Sequence, residues 1–164
     1  LHALQILYDA QATDLFEDEL FKAFYQKNKT WLQPYAVFSF LRDKFKTADT
    51  TNWEEFQYFN QSIIDKLSSP KSTSYKKIAF YYFVQYHLHL QLKKAHEYAN
   101  KKGIVLKGDI AIGVNKNGVD TWMDPSLYHL DMQAGAPPDD FAIKGQNWGF
   151  PTYNWEVMKK NHYA

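Results

Sequence analysis

Residues 103–114 read GIVLKGDIAIGV and follow a stretch, residues 75–99, that no turn residue interrupts. Lys101 and Lys102 stand just before the first glycine, and cations followed by Gly are typical of the end of a helix. The β-branched run that comes next is typical of a strand. A helix over 74–102 that passes through one glycine into a strand is an α/β unit, which favours a parallel sheet or barrel. The stretch therefore predicts an α/β fold.

Capping residues followed by apolar positions at helical spacing predict three helices upstream of this unit. The first is expected from about residue 13 to 27. The second begins after Thr30 and has Pro34 in its first turn, where proline is tolerated. The third begins after Asn52 and stops before Pro70.

A turn-rich segment, residues 68–74 (SSPKSTS), separates these helices from the α/β unit. We therefore expect a helical insertion subdomain over 1–70 and a partial barrel unit over 71–164. The second contains a long loop over 115–151 with little periodicity. Loops of that length are usually functional or disordered, and the loop after a barrel strand lies at the ligand-binding face. A short helix is expected to resume near Asn154.

Composition excludes several classes of protein. The 164 residues suffice for one domain, and the chain begins without Met, so we expect a piece of a longer protein. A net charge of +1 with dispersed lysines indicates no nucleic-acid partner. No apolar run has the length of a membrane span, so we expect no membrane association. The absence of Cys excludes disulfides and fits a reducing compartment, which predicts a cytoplasmic location.

The segment GAPPDDFAIKGQNWGFP, residues 135–151, combines turn residues with aromatic, amide and carboxylate side chains. Flat aromatic rings beside convergent hydrogen-bonding groups suit a sugar, which has an apolar face and a rim of hydroxyls. Trp148 is either a sugar-stacking residue or an anchor for the loop. The two adjacent carboxylates either contact sugar or form an Asx turn. The candidate sugar-binding residues of this segment are Asp139, Asp140, Phe141, Gln146 and Trp148.

The chain resembles the 4-α-glucanotransferases, also called amylomaltases or disproportionating enzymes. The resemblance is carried by GIVLKGDIAIGV, then VDTWMDPSLY, then DMQAGAPPDDFAIKGQNWGFPTYNWEVM. Upstream, WLQPYAVFSFLRDKF and FYYFVQYHLHLQLKKAHEYANKKG resemble the family's helices. The segments WLQPYAVF and VQYHLHLQL are most similar to the corresponding segments of the subgroup that uses maltose and a soluble glycan.

This resemblance implies a fragment of a (β/α)₈ TIM barrel with a helical insertion, mostly helical in this portion. It implies retaining transfer of an α-1,4-glucan to another glucan's 4-hydroxyl, which needs a carboxylate nucleophile and an acid/base carboxyl group. The family has these groups beyond the motif equivalent to residues 161–164, so we expect no catalytic residue in this chain. The expected partners are α-1,4-glucans (maltose, malto-oligosaccharides, soluble glycan) and the rest of the parent barrel. The alternative function is a non-catalytic, helical carbohydrate-binding module.

Three further candidate sugar-binding residues precede the loop segment. By resemblance, Asp109 lies near the reactive sugar; the alternative is a strand-end carboxylate that accepts hydrogen bonds from loop amides. Asp120 and Trp122 are expected on the same ligand-binding rim of the barrel. The alternatives are that Asp120 stabilises a turn and that Trp122 is a packing residue. His87 and His89 point apart on a helix. We therefore expect no metal site, and the family resemblance implies no cofactor.

Overall fold

The computed structural model describes residues 2–109 and 111–163, and most of these residues are helical. This confirms the prediction of a mostly helical portion. No helix in these two ranges is both long and apolar enough to cross a bilayer. The α-helices are α1 (His2–Glu17), α2 (Glu19–Phe45), α3 (Gln61–Leu67), α4 (Tyr75–Lys101), α5 (Val119–Met123) and α6 (Trp155–Lys160).

The first helix boundary differs from the predicted start at residue 13. Helix α1 is already regular from His2, and the break comes at Asp18. The Asp18 carboxylate accepts a hydrogen bond from the Phe21 amide at 2.9 Å, so Asp18 caps α2. The predicted start rested on the capping-box spacing of Asp14 and Glu17, whereas the observed cap, Asp18, lacks a Glu or Gln three residues later.

The predicted boundary at Thr30 is also wrong, because α2 runs through Thr30 and Pro34 without interruption. An internal proline costs about 3 kcal/mol through its missing donor and its ring clash. Burial of the surrounding turns offsets this cost: Leu32 and Val37 are 0% exposed and Leu41 is 1% exposed. Tertiary packing therefore overrides the local signal.

The helix predicted from Asn52 is replaced by two 3₁₀ turns, Thr50–Asn52 and Glu54–Phe56. Asp49 caps the first turn by accepting from the Thr51 amide at 3.1 Å. Helix α3 begins only after Asn60, whose side chain accepts from the Ser62 amide at 2.9 Å. A stronger cap downstream thus shortened the predicted helix.

Helix α4 is confirmed within one residue of its predicted bounds. Gly103 has φ +75°, and the amides of Gly103 and Ile104 donate to Asn100 O and Ala99 O, both at 3.0 Å. These two bonds form a Schellman C-cap, in which glycine supplies the left-handed conformation.

The strand predicted after Gly103 is wrong for the described residues 104–109 and 111–114, which form no strand. Ile110, inside that predicted strand, lies outside the described residues. Val105 is 86% exposed and Ile112 is 69% exposed. A strand is stabilised by backbone pairing with a neighbour, and none of the described segments pairs with this one.

The chain forms two compact units. The helical unit comprises residues 2–44 and 60–108, and the loop unit comprises 45–59, 109 and 111–163. The predicted division into 1–70 and 71–164 stays a prediction about the parent protein.

The core of the helical unit is aromatic. The Phe21 and Phe24 rings each lie 5.3 Å from the Tyr86 ring, between centroids. The buried Tyr8 hydroxyl donates to Lys76 O at 2.8 Å and thereby ties α1 to α4. Burial raises the pKa of Tyr8 to about 12.

Within the loop unit, residues 128–153 form one antiparallel hairpin, which we call the long hairpin. Strand β1 (Tyr128–His129) pairs with β4 (Thr152–Tyr153) at its base. Strand β2 (Gly135–Ala136) pairs with β3 (Gln146–Asn147) nearer the tip. The predicted resumption of helix near Asn154 is confirmed by α6, which Asn154 caps through the Val157 amide at 3.3 Å.

Candidate functional site

The stem of the long hairpin is held by backbone hydrogen bonds between its two ladders. The Ala134 amide donates to Phe150 O, and the Trp148 amide donates to Ala134 O, both at 2.9 Å. A Cβ atom on Gly113 would lie 2.1 Å from Phe150 Cδ2, so the close approach of this ring requires glycine there. The stem is therefore seated on residues 111–114.

The tip of the long hairpin is shaped by Asp139 and Gly145. The Asp139 carboxylate accepts from the Phe141 amide at 2.9 Å and from the Ala142 amide at 2.6 Å, which is an Asx turn. Gly145 has φ +73° and donates to Ala142 O at 2.8 Å. This geometry is the one expected from the alternative in which Asp139 forms an Asx turn. Asp139 and Asp140 are both exposed, and sugar contact by either stays a prediction.

Two aromatic side chains of the long hairpin face solvent. Phe141 is 98% exposed at the tip, and Trp148 is 40% exposed on the stem. The Trp148 indole N–H donates to Gln146 Oε1 at 3.1 Å, and its ring lies 6.0 Å from the Phe150 ring. The structure thus brings Gln146 and Trp148 together, with the indole held in place and part of it open to solvent.

A brace that the sequence analysis missed supports this indole. The Asn147 side-chain amide donates to Gln133 Oε1 at 2.6 Å, across the hairpin. The Asn147 side-chain oxygen in turn accepts from the Gly149 amide at 2.8 Å, while Gly149 adopts φ +75°. An Asn two residues before a Gly is an Asx-turn signal, and it could have identified this brace.

Trp122 lies in the core of the loop unit and is only 7% exposed. Its ring centroid is 5.8 Å from that of Trp53 and 5.3 Å from that of Phe59, with edge-to-face geometry. Its indole N–H donates to Phe56 O at 3.2 Å. This geometry is the one expected if Trp122 is a packing residue. Contact between Trp122 and a glucan stays a prediction.

Helix α5 presents Asp120 to solvent and anchors Trp122 through Thr121. The buried Thr121 hydroxyl donates to Lys116 O at 2.8 Å and accepts from the Gly118 amide at 3.3 Å. Burial, followed by the negative charge of Asp120, raises the pKa of the Tyr128 hydroxyl. Asp120 therefore lies close to the base of the long hairpin.

The remaining candidate, Asp109, is exposed and lies in the irregular segment after Gly108. Its predicted role near a reactive sugar stays a prediction. Across 2–109 and 111–163, no group of three or more His, Asp or Glu side chains could hold a metal ion. The expectation of no metal and no cofactor also stays a prediction.

A family profile described as 4-alpha-glucanotransferase matches residues 1–164. The chain is 46% identical over 158 residues to the 4-alpha-glucanotransferase DPE2 of Oryza sativa subsp. japonica, covering 96% of this chain. It is 33% identical over 140 residues to a 4-alpha-glucanotransferase of Chlamydia muridarum, covering 85%. A solved amylomaltase from Streptococcus agalactiae in complex with acarbose has a TM-score of 0.76, 26% identity and 98% coverage of this chain. The chain spans 17%, 26% and 34% of the lengths of these three proteins.

Proposed function

Because the chain belongs to the 4-alpha-glucanotransferase family, we propose that the protein carrying it transfers α-1,4-glucan units from one glucan to the 4-hydroxyl of another. The match over the whole chain carries this proposal. The solvent-facing aromatic rings of the long hairpin agree with it, since a glucan offers apolar ring faces. The substrates in this proposal are maltose, malto-oligosaccharides and a soluble glycan.

We further propose that the chain is the N-terminal part of a (β/α)₈ barrel, with residues 1–70 as a helical insertion. The similarity to an amylomaltase supports this part of the proposal. Residues 104–114, which form no strand where they are described, then become a barrel strand when the neighbouring strands are present. Pairing supplies the hydrogen-bond partners and covers apolar side chains such as Val105.

The reaction in this proposal is a retaining double displacement. One carboxylate attacks the sugar's anomeric carbon while a second carboxyl group protonates the leaving oxygen; the acceptor hydroxyl then displaces the first carboxylate. We place both catalytic carboxylates outside residues 1–164. This chain contributes sugar-binding groups, which orient the glucan and exclude competing water.

Within that reaction, Trp148 stacks on a sugar face, and Gln146 holds its indole through the 3.1 Å bond. Phe141 adds a second apolar surface at the tip. Asp139 shapes the tip through its Asx turn, and Asp140 accepts from sugar hydroxyls. Together these side chains cover the bound glucan, so that the acceptor hydroxyl meets the reactive sugar before water does.

The other three candidates act below or beside the long hairpin. Trp122 supports the loop unit from its core, because contact with glucan would require it to leave the Trp53 packing. Asp120 stands at the exposed rim of α5, where it accepts from glucan hydroxyls. Asp109 organises the subsite of the reactive sugar. A cytoplasmic location remains a prediction.

Incubation of the full-length protein with maltose and a soluble glycan tests this function. We expect glucose release together with lengthening of glycan chains, and no loss of activity in EDTA. Residues 1–164 produced alone should show no turnover above a vector-only preparation. Binding of glycan by the full-length protein without any chain transfer would instead establish the carbohydrate-binding module.

A further inference from the structure

One hydrogen bond of the long hairpin joins two side chains across its stem. The Asn147 side-chain amide donates to Gln133 Oε1 at 2.6 Å, and both side chains are exposed. A hydrogen bond between exposed groups competes with water and contributes little to global stability. We therefore expect its effect in the local order of the hairpin.

The neighbours of this hydrogen bond fix which way both side-chain amides point. The Gly149 backbone amide only donates, so the Asn147 atom that faces it at 2.8 Å is the oxygen. The other terminal atom of Asn147 is then the nitrogen, which only donates, and Gln133 must present its oxygen. Asn147 thus donates to one neighbour and accepts from the other, and neither amide can be reversed without the loss of a bond.

This pair lies next to the bonds that hold Trp148. The Trp148 indole N–H donates to Gln146 Oε1 at 3.1 Å, and its backbone amide donates to Ala134 O at 2.9 Å. Ala134 follows Gln133 directly, and Asn147 directly precedes Trp148. The side-chain bond and the backbone bond are therefore adjacent links between the same two segments. Together they fix the backbone of Trp148 relative to the opposite side of the hairpin.

We propose that Gln133 and Asn147 are positioning residues, which hold the Trp148 indole in the orientation that stacks on a bound glucan. The sugar and the reaction rest on the proposed function, whereas the positioning follows from the hydrogen bonds. An indole whose orientation is fixed before binding loses less side-chain freedom when a sugar stacks on it. A loosened indole should bind glucan more weakly and leave room for water beside the reactive sugar.

The first test uses variants of the full-length protein that keep the size of both side chains. Gln133→Glu alone leaves Asn147 an acceptor, and Asn147→Asp alone leaves Gln133, which can turn its amide to donate. Each single variant should lose less than about twofold in transfer efficiency on maltose and a soluble glycan. The double variant sets two acceptors against each other, so the hydrogen bond is lost. Its transfer efficiency should fall about tenfold, and the ratio of hydrolysis to transfer should rise.

The matched control adds the same charges without placing two acceptors together. Asn115 belongs to the loop unit but not to the hairpin, and its side chain accepts from the Asn117 amide at 2.9 Å. Asn115→Asp keeps that acceptor, so Gln133→Glu with Asn115→Asp should lose no more than Gln133→Glu alone. A hairpin double variant whose loss equals the product of its two single losses overturns the proposal, as does an equal loss in the control.

The second test does not depend on catalysis. Hydrogen exchange of the full-length protein, followed by mass spectrometry of peptides, reports the local order of residues 145–151. We expect these amides to exchange about tenfold faster in the hairpin double variant than in either single variant, because the lost bond no longer holds this segment. Peptides from α5 should exchange equally in all the variants. Unchanged exchange over 145–151 overturns the proposal, as does equal acceleration in α5, which would indicate a general loss of structure.

The two proposals can fail separately. Absence of any chain transfer in the unmodified full-length protein removes the proposed function, and hydrogen exchange still decides whether the bond between Gln133 and Asn147 orders the segment around Trp148. Normal transfer in the unmodified protein, together with a double variant that loses no more than its single variants predict, removes the positioning role alone.

Discussion

The core around Trp122 and the stem of the long hairpin belong to the same unit and use the same residue type in opposite ways. Trp122 is 7% exposed, among aromatic neighbours, whereas Trp148 is 40% exposed. Both indole N–H groups are hydrogen-bonded, at 3.2 and 3.1 Å. The N–H group of each indole therefore has a hydrogen-bond acceptor. The two side chains differ in whether the apolar surface of the ring is buried or exposed to solvent.

The two regions also differ in what holds their shape. Apolar contact stabilises the core, with burial contributing about 25 cal/mol per Å². The long hairpin is held by backbone pairs, by Asx turns at Asp139 and Asn147, and by glycines with positive φ. Each such hydrogen bond contributes only about 0.5–1.5 kcal/mol. An element that keeps its shape without a core can present aromatic rings to a ligand.

The largest expected effect is on stability, at the buried ring. Trp122→Ala should lower the free energy of unfolding by about 3–5 kcal/mol, because it opens a cavity beside Trp53 and removes the donor to Phe56 O. Urea unfolding of the full-length protein measures this change. Trp122→Phe, which keeps a ring, should cost less. A loss below about 1 kcal/mol for the alanine variant would contradict the core assignment.

At the exposed ring the effect should appear in activity. Trp148→Ala should reduce transfer efficiency about 5- to 150-fold, equivalent to about 1–3 kcal/mol of transition-state binding. Hydrolysis should fall less, because a looser cover admits water, so the ratio of hydrolysis to transfer rises. Phe141→Ala should act in the same direction more weakly. Glucose release and chain lengthening are measured side by side at matched folded concentration.

The outcome for Trp148 separates its two interpretations. A loop anchor would lower the melting temperature and the yield of soluble protein while leaving the ratio of hydrolysis to transfer unchanged. That pattern would show that the long hairpin does not act as a cover over the substrate.

A similar contrast applies to the two histidines of α4, one partly buried and the other exposed. His87 packs on Phe83 at 4.4 Å between ring centroids, and its Nε2 is buried with no hydrogen-bond partner among the described residues. Burial lowers the pKa of His87. His89 is exposed.

Because its pKa is lower when folded, His87 should make the folded state less stable as the pH falls. The unfolded chain binds a proton at the ordinary value, near 6.5, before the folded chain does. The stabilising contribution is complete above that value and decreases as pH falls below it, by at most about 1.4 kcal/mol per pH unit. In urea unfolding between about pH 7 and pH 5, His87→Phe should lose this dependence and His89→Phe should keep it. Equal pH profiles for all three proteins would contradict this account.

The smallest effect is expected at the tip of the long hairpin. Asp139→Ala removes the acceptor of two amide hydrogen bonds at the tip. The free energy that holds the tip in its conformation should fall by about 1 kcal/mol, and transfer efficiency should fall about fivefold. Asp139→Asn keeps an oxygen acceptor and should restore most of that loss. If Asn is as impaired as Ala, the negative charge matters, and Asp139 acts on sugar instead of shaping the loop. Transfer rates on maltotriose distinguish the two outcomes.

Sequence reasoning succeeded where the deciding signal is local. The end of α4 follows from Lys101, Lys102 and Gly103, because a helix C-terminus needs cations nearby and one residue with positive φ. The start of α6 follows from Asn154 for the same kind of reason. It also predicted that packing alone does not explain residues 135–151, and the exposed Phe141 agrees with that prediction.

It failed where neighbouring signals compete or where pairing is required. Asp14 and Asp18 are both possible caps, and only the observed bond to the Phe21 amide selects Asp18. Pro34 stops an isolated helix but not one whose surrounding side chains are fully buried. Residues 104–114 have strand composition, yet a strand forms only against a partner.

By itself, the sequence determined the family, the C-terminal end of α4, and the position of the turn-rich segment that carries the aromatic residues. Each of these depends on the identity of residues that are close together in the chain. Only the tertiary structure decided that Trp122 is buried and Trp148 is exposed, since both are tryptophans in loop-like sequence. It likewise decided the pairing of the long hairpin and the hydrogen bond between Gln133 and Asn147. Burial and pairing depend on atoms that are distant in the chain, and no local pattern contains them.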